Sequence, residues 1–219
     1  GALALDLEPG RGLTDAIDNP SRIDGLFIER ATIKANDKLS ILSAEAAISS
    51  PIMTDGSAFF QLQEEFRAAF ENTVIDLPRN MLIAYPHLLH DVNVAVIVCE
   101  LTLASARDAI RLLAWLRANA PSCQTIVVAN KAQAGGIEIS RKDFESSIER
   151  ESDLVIPLDA KATASAGNQA GSSPANARSA VWVTTARNGS GLPHVHARAP
   201  SASISAGSMS GSWAATSAP

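Results

Sequence analysis

Short runs rich in Val, Ile and Leu punctuate the first 160 residues: "LSILSA" (39–44), "NTVIDL" (72–77), "NVAVIVCE" (93–100), "QTIVVAN" (124–130) and "DLVIP" (153–157). Both alternate positions of each run are apolar, the pattern of strands buried on both faces. Between them the period changes from two to between three and four. Phe59, Leu62, Phe66 and Phe70 fall on one helical face, as do Ile110, Leu113 and Leu116, and then Phe144 and Ile148. Helix punctuation agrees: Thr102 or Ser105 is placed to cap the long helix, Pro121 follows it, and Ser140 with Asp143 forms a capping-box-like start. Strands alternating with amphipathic helices predict βαβ units. The expected fold is a doubly wound α/β domain over about residues 1–160, its sheet mainly parallel with helices on both faces.

Residues 161–219 break this pattern, with no acidic residue and no sustained period. Such a segment buries too little apolar surface to offset its ordering entropy, so a low-complexity, disordered tail is expected. Its bias to Ala, Ser, Arg, Gly and Pro, with Trp182 and Trp213 scattered through it, is what GC-rich DNA gives in a wrong frame. The tail is therefore read as a frameshift or assembly product.

Charge sharpens the division. All 23 acidic residues precede Ala160, together with 14 of the 18 Lys and Arg, so the body is strongly acidic and argues against a nucleic-acid surface. A hydrophobic content of 46% and a mean hydropathy of +0.08 suit a soluble globular chain. Cys99 and Cys123 lie in or beside apolar runs without C-x-x-C spacing, which fits small buried residues in a reducing, cytoplasmic setting. No run approaches the roughly 20 apolar residues of a membrane span, and no signal-peptide pattern opens the chain.

Ligands of open parallel sheets gather at the carboxyl ends of the strands, which directs attention to the residues closing each run. Asp76 closes "NTVIDL" before the turn at Pro78. A carboxylate so placed can hold Mg²⁺ through water, or can satisfy loop backbone. Asn130 and Lys131 follow another strand; the amide can read a purine edge and the lysine can lie along the base or reach a phosphate, but an ordinary polar turn explains the pair equally. Pro157 either walls a base pocket or ends an edge strand. A phosphate cradle needs a Gly-rich loop ending in Gly-Lys-Ser/Thr between strand and helix, and no stretch has one: "DGSAFF" lacks the lysine and "QAGGIEIS" lacks the ending. His87, His90 and Asp91 in "HLLHD" do not follow a zinc motif, "HVH" at 194–196 lies in the tail, and "GSMSG" centres on Met209 instead of the serine of a hydrolase elbow.

Taken in order, "NPSRIDGLFIERA", "LSILSAE", "TVIDLPRNM", "LTLASARDAIRLLAWL", "VVANK", "DFESSIER" and "LVIPLDAK" resemble the pilus-assembly ATPase-like proteins of the Tad/Flp system, the CpaE/TadZ family, within the MinD/ParA group of P-loop ATPases. The resemblance covers about residues 1–161. It implies a three-layer α/β fold that binds ATP and Mg²⁺, dimerises with nucleotide bound, and helps place or assemble a type IV-like pilus machine at the cell pole. By the same resemblance Asp76 matches the Walker B aspartate, Asn130 with Lys131 the base-binding pair, and Pro157 the proline of the later base-side loop. Residues 79–90 match the loop that senses nucleotide state, with Pro78 and Arg79 at its start.

The departures are as informative. The family's deviant Walker A loop is expected upstream of Gly1, and Asp6 in "LDLEPG" is not in register with the catalytic aspartate of its second motif. The resemblance thus implies a fragment, incomplete at the N-terminus, that neither binds ATP and Mg²⁺ as its parent does nor turns ATP over. Two functions remain in view: a nucleotide-dependent localisation ATPase, and a non-enzymatic scaffold recruiting pilus components through the helices near 57–70 and 102–118. A chromosome-partition relative would need a basic DNA-binding face, which the acidic body opposes.

Overall fold

A computed structural model describes residues 7–8, 10–43, 56–77, 79–132, 138–158, 180–186 and 212–216. It is mixed α/β and divides into two compact units. One comprises residues 1–93, 183–192 and 209–219; the other comprises 94–182 and 193–208.

The second unit carries the pattern most directly. Strand β4 (Val94–Glu100), helix α5 (Leu103–Asn119), strand β5 (Gln124–Ala132), helix α6 (Arg141–Ser147) and strand β6 (Leu154–Pro157) follow one another as β-α-β-α-β. β4 pairs parallel with β5 from Val94↔Gln124 to Glu100↔Asn130, and β5 pairs parallel with β6. Spatial order equals chain order, so both crossovers step the same way, and α5 and α6 touch. The expected caps are present: the Thr102 hydroxyl accepts from Ser105 N at 3.1 Å, and Ser140 Oγ accepts from Asp143 N at 3.1 Å. Ile97, Leu101, Leu112, Leu116, Val127 and Phe144 are buried together in this unit's core.

The amino end of β6 is clamped by side chains. Asp153 Oδ2 accepts from Val127 N at 2.7 Å and from Arg150 Nη2 at 2.8 Å, while Asp153 N donates to Val127 O at 2.9 Å. Arg150 Nη2 also donates to Thr125 O, and Glu145 Oε1 accepts from Ser152 N.

The first unit begins with helices α1 (Gly12–Asp18) and α2 (Gly25–Ala31), then strands β1 (Ile33–Asn36) and β2 (Leu39–Leu42). The pattern predicted β2 but not its partner. β1 and β2 form an antiparallel hairpin across Asp37 and Lys38, where the Asn36 side chain accepts from Lys38 N at 2.9 Å. Asp24 caps α2 by accepting from Phe27 N at 2.7 Å, a signal readable in "DGLF". Helix α3 (Ser57–Ala69) and strand β3 (Asn72–Leu77) lie where the period predicts, and α4 (Arg79–Ala84) follows at once. Gly56 caps α3 with φ +88°, and a Cβ there would come within 2.6 Å of the Tyr85 ring. Phe66, Leu62, Ile41, Leu42, Ile75 and Leu82 are buried in this unit.

The tail, expected to lack regular structure, contributes strands β7 (Ala180–Ala186) and β8 (Ser212–Thr216). β8 pairs antiparallel with both β2 and β3, as β1 does with β2, while β4, β5 and β6 form a three-stranded parallel sheet. The physical reason is that ladder hydrogen bonds come from the main chain, which every non-proline residue supplies whatever its side chain.

Candidate functional site

Because β4, β5 and β6 run parallel, their last residues share one end of the sheet. Glu100, Asn130, Lys131 and Pro157 meet there. The pairing of β5 with β6 advances from Ala129↔Val155 to Ala132↔Pro157, three steps on one strand against two on the other. Asn130 and Lys131 therefore form a bulge, which bends the strand and re-aims its side chains. Lys131 has φ 52°, a left-handed conformation that costs a non-glycine residue of order 1–2 kcal/mol.

The redirected Lys131 places Nζ 2.6 Å from Glu100 Oε1. Both side chains are mostly shielded, at 30% and 18% exposure, so this ion pair is better protected from solvent screening than a surface one. Asn130 is buried at the bulge, directly across from Glu100 in the register. Pro157 is exposed at the end of β6, and Leu158 N donates back to Ala132 O at 2.9 Å. Beside this edge, the first turn of α5 is satisfied from within: Thr102 caps it, and Glu138 Oε2 accepts from Leu103 N at 3.1 Å.

The structure thus gathers Asn130, Lys131 and Pro157, and adds two residues that the sequence reading passed over. Glu100 closes a buried strand just as Asp76 does, so the rule that selected Asp76 would have selected it. Glu138 had no local signal, because its role depends on a fold-back of 35 residues.

Asp76 belongs to the first unit, near the end of β3 on the face it shares with Asn72 and Val74; the opposite face, Thr73, Ile75 and Leu77, is buried. Partial burial raises its carboxyl pKa above the ordinary value, because desolvation disfavours the charged form. Such a carboxyl gains from a nearby cation. Arg79 opens α4, and the segment after it is this helix and a 3₁₀ turn at Pro86–Leu89. That turn is anchored: Gln63 Nε2 donates to Leu88 O at 3.1 Å, and the Tyr85 ring lies 5.7 Å from that of Phe59. Pro78, Asp6, the tail histidines and Met209 lie outside the described residues.

The remaining candidates resolve into ordinary chemistry. Asp91 accepts from His90 and pairs with Arg67, each at 3.2 Å, and the His90 hydrogen bond, with help from Arg67, lowers its pKa. Among the described residues no cluster of three His, Cys, Asp or Glu could hold a metal ion. Neither cysteine forms a disulfide; burial pushes the Cys123 thiol up to about 11, which keeps it unreactive near neutrality. No helix among the described residues is long and apolar enough to cross a membrane. The chain matches no protein-family model, no curated protein and no solved structure.

Proposed function

We propose that the chain is part of a nucleotide-binding pilus assembly or localisation ATPase of the Tad/Flp type, with the β4–β6 edge holding the base. The observation that carries this reading is the bulge at Asn130–Lys131, a strained turn at the carboxyl end of a parallel sheet, flanked by Glu100 and Pro157. The ordered series of family-like blocks supports it. So does the chemistry of the donor set: an amide with one donor and one acceptor edge, held by a rigid strand, suits a purine.

The residues fit the two halves of a nucleotide unequally. Asn130, Lys131 and Pro157 fit a base, but Lys131 is already engaged by Glu100 and no stretch has the phosphate-binding pattern. Asp76 lies in the other unit and, by itself, is a partly buried carboxylate that could hold Mg²⁺ through water. With no phosphate-binding pattern in these residues, we expect weak nucleotide binding and no turnover from this chain alone. Titration with a fluorescent adenine nucleotide should show weak binding that Asn130→Ala abolishes. ATP hydrolysis above background that is lost in Asp76→Ala would overturn the inactive reading.

A second reading, a non-enzymatic pilus scaffold, draws on the outer face of α5. Leu103 and Ile110 are exposed there, interleaved with exposed Arg107 and Arg111, a face suited to an acidic apolar partner. Nucleotide binding unaffected by Asn130→Ala, with partner capture lost in Ile110→Asp, would favour it.

A further inference from the structure

β2 and β3 are each antiparallel to β8, so they run parallel to one another with one strand's width between them, about 10 Å. Their registers are in step. Thr216 lies across from both Leu39 and Asn72, Ala215 from Ser40 and Thr73, Ala214 from Ile41 and Val74, and Trp213 from Leu42 and Ile75. Ser212 reaches one residue further, opposite Asp76.

Emptying this gap would leave two facing strand edges with unpaired main-chain groups, beside Ile41, Leu42 and Ile75, each at most 2% exposed. The gap therefore needs an occupant. What fills it comes from the far end of the chain, after 25 residues (187–211) that could span at most about 80–90 Å when extended. That reach is more than twice the width of a small domain, so it does not restrict β8 to its own copy. Recognition here is mostly main-chain pairing on both sides, as in β-strand addition, and an identical element exchanged between copies makes identical contacts.

We propose that the gap between β2 and β3 is a strand-acceptor site that takes the segment Ser212–Thr216 from its own chain or from a second copy, so that the tail strand is exchangeable and links copies. Proline at the middle of the segment should weaken docking, because Ala214 is flanked by strands on both sides and proline lacks the N–H.

The test uses the full chain and a fluorescent synthetic peptide of residues 211–219, GSWAATSAP. Saturable binding is expected, and at least about tenfold weaker binding for the same peptide carrying Ala214→Pro, the effect of losing one buried main-chain hydrogen bond. Equal binding of both peptides, or none, overturns the proposal. In parallel, two differently tagged full-length copies should form mixed species on incubation. A full-length Ala214→Pro chain should still accept a strand from the wild type but should not associate with itself. Copies that stay monomeric at every concentration, or exchange unaffected by the proline, overturn it as well. The peptide experiment needs no full-length variant, so it decides even if Ala214→Pro does not fold.

Discussion

The two units reach a buried sheet by opposite routes. In β4–β6 each strand pairs with the next one in the chain, and a single helix covers each step. In the first unit β2 and β3 meet only through β8, which arrives from more than 130 residues beyond β3. The parallel unit is built from local steps whose loop-closure entropy is small. The first depends on a contact that is remote in sequence, and its closure is correspondingly harder.

Core truncation probes this contrast most strongly. Phe144→Ala in the parallel unit and Phe66→Ala in the first should each cost about 3–5 kcal/mol in denaturant unfolding, since both rings are fully buried. Amide exchange should separate them, with Phe144→Ala first loosening Val94–Pro157 and Phe66→Ala first loosening Ile33–Leu77. Equal loss of protection in both units from either change would break the comparison.

Gly56→Ala comes next, at about 2 kcal/mol, because the new Cβ must adopt a left-handed φ and also displace the Tyr85 ring. Thermal denaturation should show the loss, with Tyr85→Ala partly relieving the clash in the double variant. A smaller effect, about 1 kcal/mol, is expected for Thr102→Ala, which removes the cap of α5 in the parallel unit. Thr102→Ser should restore most of it.

The smallest effect depends on pH. Burial raises the Asp76 carboxyl above 3.8 in the folded chain, so as pH climbs from that value the unfolded chain releases its proton first. Stability therefore falls through the window up to the folded pKa and is level beyond it. Asp76→Asn should flatten that slope and leave the neutral-pH protein slightly more stable, as read by urea unfolding at several pH values. Mg²⁺ that stabilises the wild type above this window but not Asp76→Asn would support the metal role; no difference would remove it.

The difference between the units also marks what was legible in the sequence. The apolar runs of β4 and β5 and the three-to-four period of the long helix could be read directly as elements, because strands and helices both follow burial; the buried face of α5 could not, since it is made by Ala106, Ala109, Leu112 and Leu116, while Ile110 of the expected stripe stands exposed. Thr102 and Ser140 could be read for the same reason: capping is a local exchange of hydrogen bonds. β1 was missed because Ile33-Lys34-Ala35-Asn36 is a half-exposed edge strand with only two apolar residues. β8 was missed because its pairing is made by main-chain groups, which carry no signature in side-chain pattern. At the candidate site Asn130, Lys131 and Pro157 were visible from their positions after strands. The bulge, the left-handed Lys131 and the approach of Glu138 were not, since each depends on register between chains of atoms far apart in sequence.

The clamp at the start of β6 makes Asp153 a zero mark. Since β6 is fixed there by Val127 and Arg150, the place of Pro157 is set by counting residues forward from the mark, while Lys131 is counted along β5 with one unit more. The candidate site is thus dimensioned by two rulers of unequal graduation. Deleting a single residue between Leu154 and Ile156 would leave the sheet's beginning intact and put its working end out of gauge.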